Sequence, residues 1–200
     1  MREEISSRYE RSLSRVRALV EMYRDKAGAG SGRRPIETAD LLRAAVVFLH
    51  ATLEDVLRTV LARKWPETTT REHLEEVPVQ VAPDKRSVKL TLADLLMHRD
   101  KTVAALIRES IEQSLDRSNY NNVPDVKTAL SKSGLDPNLV TPYAPQLAGL
   151  MSRRHQIVHR ADRQDVGGRG NHVAASLDVG TVEAWIAAVD GLCGAIVASL

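Results

Sequence analysis

Aromatic side chains make up only 4% of the 200-residue chain, and cysteine occurs once, as Cys193. Scarce aromatics, set against abundant Ala, Leu and Val, argue against strands, whose pleated surfaces favour aromatic and β-branched residues, and for close-packed helices. A lone cysteine excludes an intramolecular disulfide framework. The opening Met-Arg-Glu-Glu lacks a basic segment followed by an apolar one, so no secretory leader is expected. No apolar run approaches the ~18 residues of a membrane span, the longest considered being Ala44 to Leu49. The expectation is a soluble, cytoplasmic protein with no membrane partner. A formal net charge of +2 is too small for a surface that coats nucleic acid generally.

What is present describes one ordinary domain, residues 1–200, with 43% hydrophobic and 27% charged residues and enough chain to bury a core. The periodicity predicts an all-α, up-and-down bundle of about five or six helices around a long central one, near residues 3–24, 38–65, 91–116, 124–133, 142–161 and 180–199. Ile5, Tyr9, Leu13, Val16, Val20 and Tyr23 recur at three- and four-residue steps, giving the first helix one apolar stripe. The glycine-rich stretch from Lys26 to Pro35 reads as a surface loop whose Arg33 and Arg34 could touch RNA. The next helix runs through Ala45, Leu49, Leu53, Val56 and Val60 to Trp65, before Pro66, a rod of roughly 40 Å.

Arg43, His50, Glu54 and Arg58 form a polar ridge along that rod. Beyond it, Val77 to Val81 alternates like a strand edge. Thr91 and Asp94 have capping-box spacing and open a helix expected to bend near His98 to Asp100. Pro124 suits a helix start and Gly134 a left-handed cap, while Thr141-Pro142 repeats the start signal. Val182, Trp185, Ile186, Val189, Leu192, Ile196 and Leu200 give the last amphipathic helix.

Chemistry concentrates in Met151-Ser-Arg-Arg-His-Gln-Ile-Val-His-Arg-Ala-Asp162, which holds two histidines and three arginines in a segment otherwise written like a core helix. On a helical wheel Leu147, Leu150, Met151, Ile157 and Val158 share one stripe with Arg154 near its middle. A guanidinium there must snorkel out, pair with a carboxylate, or line a cleft. Between Met151 and His172, five arginines (153, 154, 160, 163 and 169) face two aspartates (162 and 165), a local balance of +3 that would draw a phosphate backbone. Gly167-Gly-Arg-Gly170 reads as a loop beside this segment.

Arg154, the polar His155, then Gln-Ile-Val and His159 resemble the R-x4-6-H motif of the HEPN superfamily, in the Arg-polar-x-Ile-Val-His form of its RiboL-PSP-HEPN-like group. The helix layout from about Thr38 onward is similar to that family as well. The resemblance implies a homodimer that pairs Arg154 and His159 of two copies in a metal-independent endoribonuclease, with RNA as substrate and no cofactor. It also implies a toxin or defence effector with an antitoxin or regulatory protein as partner. One departure stands out: toxins of this family that pair with nucleotidyltransferase antitoxins commonly carry tyrosine two residues after the histidine, and here that position is Ala161.

His155, Arg153 and Arg160 are assigned to substrate contact, although Arg153 and Arg160 fall on the opposite side of the helix, where solvation competes. Glu54 is nominated to orient Arg154, the rival role being an i,i+4 pair with His50 or Arg58. Two readings compete with the nuclease. His155, His159 and Asp162 lie at i, i+4 and i+7 and could face a divalent metal, though no second ligand cluster accompanies them. A non-catalytic HEPN-like module that binds RNA or a protein partner would need the same fold without the chemistry.

Overall fold

The computed structural model describes residues 1–27, 36–68, 70–75, 77–79, 91–160, 162 and 176–200. Eight α-helices occur among them and no strand: α1 (Arg2–Ala27), α2 (Ile36–Thr68), α3 (Arg71–Glu75), α4 (Leu92–Leu95), α5 (Val103–Asp116), α6 (Val123–Lys132), α7 (Ala144–Arg160) and α8 (Val179–Ala198). Six of these have ten residues or more and correspond to the six helices expected from periodicity. The fold is an all-α helical bundle.

The 33-residue α2 is the axis, about 50 Å long, and it packs against α1, α5, α6, α7 and α8. Leu42, Ala45, Val46, Leu49, Leu53, Val56, Leu57, Val60 and Leu61 bury nearly all of their surface, so most of its circumference is covered. The α1 stripe buries all six of its expected residues, Ile5 to Tyr23. From α8 come Val182, Trp185, Ile186, Val189, Leu192 and Ile196. Removing such side chains from water is worth about 2 kcal/mol each, which is why the apolar period sets the packing.

Helix α8 corrects one reading: it is long and apolar enough to cross a membrane by length and composition. Its apolar side chains go into the core of the bundle. Gly191 lets that helix approach the Tyr143 ring, since a Cβ there would stand 2.6 Å from Tyr143 Cε1.

Differences at the boundaries have local causes. The helix expected over 91–116 is divided: Thr91 caps α4 with a full capping box to Asp94, a 3-10 turn follows at Leu96–His98, and Thr102 starts α5 by accepting a hydrogen bond from the Ala105 N–H at 3.2 Å. Helix α2 runs past Pro66 to Thr68, whose single hydroxyl proton is shared between the Lys64 carbonyl (2.9 Å) and the Lys132 carbonyl (3.0 Å). Thr141 does not cap α7, because Pro137–Tyr143 forms a 3-10 segment and α7 starts at Ala144. Pro124 lies in the first turn of α6, capped by Asn122, and Gly134 follows with φ 68°. Val77 to Val79 form no strand, and residues 80 and 81 lie outside the described residues, as do Arg33, Arg34, Ala161, Arg163, Asp165, Arg169 and the Gly167 to Gly170 loop.

Candidate functional site

Helix α7 carries the motif. Its inner face is anchored by Leu147, Leu150 and Met151, and Ile157 packs against the core, but Val158, expected on the same stripe, is 46% exposed. Arg154 is half-buried and forms no hydrogen bond or ion pair among the described residues. Its charge lies close enough to act on the buried His50 imidazole across the α2–α7 contact. Of the three options for an arginine in an apolar stripe, pairing with a carboxylate is thus not taken among the described residues.

His155 and His159, one helical turn apart, are both exposed, with ring centroids 4.7 Å apart and planes tilted by 44°. His159 and Arg160 occupy the last turn, where the helix dipole favours positive charge. Arg160 is exposed. The segment therefore presents two imidazoles to solvent at the C-terminal end of α7, with Arg154 on the same turn as His155.

Arg153 is the clear correction. Neither solvated nor presented to a substrate, its side chain is only 12% exposed and donates to Asp162 Oδ2 at 2.8 Å. Arg43 of α2 donates to the same oxygen through Nε at 2.7 Å and also meets Asp40 at 3.0 Å. Asp162 is 2% exposed and left-handed, with φ 57°, a conformation aspartate tolerates better than most residues. Its N–H donates to the Gln156 carbonyl at 3.1 Å, satisfying one of the carbonyls a helix end leaves open. Asp162 thus ties the end of α7 to α2 through a buried Arg43–Asp162–Arg153 triad. Burial pulls the Arg153 pKa below the ordinary guanidinium value, while Asp162 pulls it back up. The triad also dismantles the proposed metal set: Asp162 is taken inside by two guanidiniums while His155 and His159 stand outside.

Glu54 does not reach Arg154 by any ion pair in the described residues. It meets Arg58 at 3.6 Å and His50 Nδ1 at 3.9 Å, and it accepts from the Tyr120 N–H at 3.4 Å. His50 Nε2 bonds the Tyr120 carbonyl at 3.0 Å, and Arg58 donates to the Ser118 carbonyl at 2.7 Å. The polar ridge of α2 therefore holds the backbone of the turn between α5 and α6, which is buried at Tyr120 and would otherwise leave unpaired peptide groups. Desolvation lowers the His50 pKa, with Glu54 and the Tyr120 carbonyl opposing and Arg154 and Arg58 assisting, so this imidazole is neutral in the fold and donates.

Comparison with known proteins brings no relative to bear on this arrangement: no family model matches the chain, and neither does any curated protein or solved structure. The functional reading accordingly rests on the residues themselves. Two signals escaped the sequence: that Arg153 is structural, and that His50, Glu54 and Arg58 serve one turn. Both depend on contacts between residues far apart in the chain, which no helical wheel contains.

Proposed function

We propose that this chain is a metal-independent endoribonuclease of HEPN type, acting on RNA as a homodimer that brings together Arg154 and His159 of two copies. The observation that carries the reading is the exposed His155–His159 pair beside an Arg154 free of any carboxylate among the described residues. Imidazoles exchange protons near neutrality, and a guanidinium without a carboxylate is open to a phosphate with its fixed donors. In the reaction, His159 of one copy takes the ribose 2′-OH proton and the oxygen attacks phosphorus. The bond to the 5′ oxygen breaks, and His159 of the second copy returns a proton to that leaving oxygen. The Arg154 guanidiniums neutralise the charge growing on the non-bridging oxygens. One Arg154 and one His159 are too few for these three tasks, which ties the chemistry to a two-fold interface.

His155 gains weight from the geometry, since its ring contacts His159 and can hold substrate or steady the neighbouring imidazole. Arg160 remains a substrate-contact candidate at the exposed helix end, whereas Arg153 is withdrawn from that role. A toxin or defence effector, with an antitoxin or regulatory protein as partner, is the setting the motif suggests. The test is end analysis: single-stranded RNA incubated with the protein and excess chelator should yield cyclic or 3′-phosphate termini. Cleavage that stops on chelation would contradict the proposal.

A further inference from the structure

His155 and His159 present two imidazoles from one face of α7, one helical turn apart, with ring centroids 4.7 Å apart. Both side chains are exposed, and no hydrogen bond or ion pair among the described residues occupies either ring. Ala148 and Ser152, small and exposed, precede them on the same face and leave it uncrowded. The helix therefore fixes the spacing of the pair before any ligand arrives. A tetrahedral zinc ion bound to two histidine nitrogens at about 2.0–2.1 Å places the ring centres roughly 5 Å apart, a small side-chain adjustment from the spacing seen.

Position on the helix favours a cation there as well. The C-terminal end of a helix carries partial negative charge, and His159 lies in the last turn of α7. Arg154 and Arg160 stand about 100° around the helix from the nearer histidine, one on each side of the pair rather than over it. Imidazoles suit zinc and its transition-metal neighbours, whereas magnesium and calcium call for oxygen ligands, and the Asp162 carboxylate is held inside by Arg43 and Arg153. We propose that His155 and His159 form a two-imidazole clamp for zinc(II), with water completing the coordination, and that zinc held there switches off RNA cleavage. The clamp stands on the helix alone, and its inhibitory role rests on the nuclease reading above. A neutral imidazole has one lone pair, so the electrons with which His159 takes a proton are those the metal engages.

Calorimetric titration of the untagged full chain with zinc chloride tests the clamp in the absence of RNA. One zinc per chain should bind in the micromolar range, with no heat from magnesium chloride. His155→Ala and His159→Ala should each weaken zinc at least about tenfold while keeping the wild-type Tm, since both positions are exposed and a lone imidazole does not chelate. His98→Ala, outside the motif helix, should bind as wild type does. In the cleavage assay, zinc at about ten times its Kd should slow the wild type about tenfold, and excess chelator should restore the rate. No heat with zinc, undiminished binding in either motif variant, or loss of binding in His98→Ala would overturn the clamp. Cleavage at the full rate with the site filled would overturn its inhibitory role. Zinc that binds through both histidines to a chain that cuts no RNA would uphold the clamp and count against the nuclease reading alone.

Discussion

Asp162→Ala should be among the most damaging single changes outside the apolar core. In the folded chain one carboxylate oxygen serves two guanidiniums, Arg43 at 2.7 Å and Arg153 at 2.8 Å, each only 12% exposed. Removing one member of a buried charged group typically costs about 3–5 kcal/mol, because the partners stay buried without compensation. Arg43 retains Asp40, at 3.0 Å, which places the expected loss toward the lower end. Alanine at φ 57° adds about 1 kcal/mol, since its Cβ disfavours the left-handed region that aspartate tolerates. The sum is about 4 kcal/mol, or roughly 8–16 °C in Tm for a domain of this size. Asp162→Asn keeps an acceptor oxygen and the left-handed preference, so about half that loss is expected. Urea unfolding followed by circular dichroism gives both numbers. If Asp162→Ala lies within about 0.5 kcal/mol of wild type, the ordinary range of surface changes, the triad does not anchor α7 and the argument for reassigning Arg153 fails.

Other expectations follow from the same contacts. Arg153→Ala should destabilise the fold by about 3 kcal/mol, whereas Arg154→Ala, which breaks no ion pair among the described residues, should stay within about 1 kcal/mol, both read by urea unfolding. Because burial lowers the His50 pKa in the folded state, the unfolded chain takes up this proton first on acidification. His50-linked stability is therefore full above the ordinary histidine value of about 6.5 and declines below it, at up to about 1.4 kcal/mol per pH unit, as pH falls toward the folded value. Urea midpoints from pH 7.5 to about 5 should show that decline, and His50→Gln, which keeps a donor for the Tyr120 carbonyl, should flatten it. Val158→Arg, at an exposed apolar position on the motif helix, should convert a dimer to a monomer by light scattering without lowering Tm, while a wild type that is monomeric at tens of micromolar would remove the shared site.

The stripes of α1, α2 and α8 were readable because each answers a single question, which residues face one core, and apolar spacing encodes the answer. The start signals at Thr91 and Pro124 and the cap at Gly134 were readable, being local backbone chemistry, whereas the Asn122 cap was not singled out. Arg153 was not readable, because its partner is a left-handed aspartate beyond the helix end, a placement no helical wheel contains. A wheel also placed Val158 inside, yet it is 46% exposed while the neighbouring Ile157 packs against the core. The division of 91–116 was half legible: the bend near His98 was expected, but the new start at Thr102 depends on a hydroxyl that competes locally for the Ala105 N–H. At the candidate site, Arg154, His155 and His159 emerged as a group from the sequence, while Glu54 takes its rival i,i+4 role with His50 and Arg58 rather than orienting Arg154, and its bond to the Tyr120 N–H was not legible.

The central claim is that His159 moves protons in RNA cleavage rather than supporting the fold. It is tested most directly by single-turnover cleavage of single-stranded RNA, in excess chelator, by wild type and His159→Ala at equal RNA occupancy. Because His159 is exposed, His159→Ala should keep the wild-type Tm and RNA affinity while losing cleavage by at least about a hundredfold. Cleavage by His159→Ala at the wild-type rate, or a wild type that binds RNA and leaves it intact, would contradict the account.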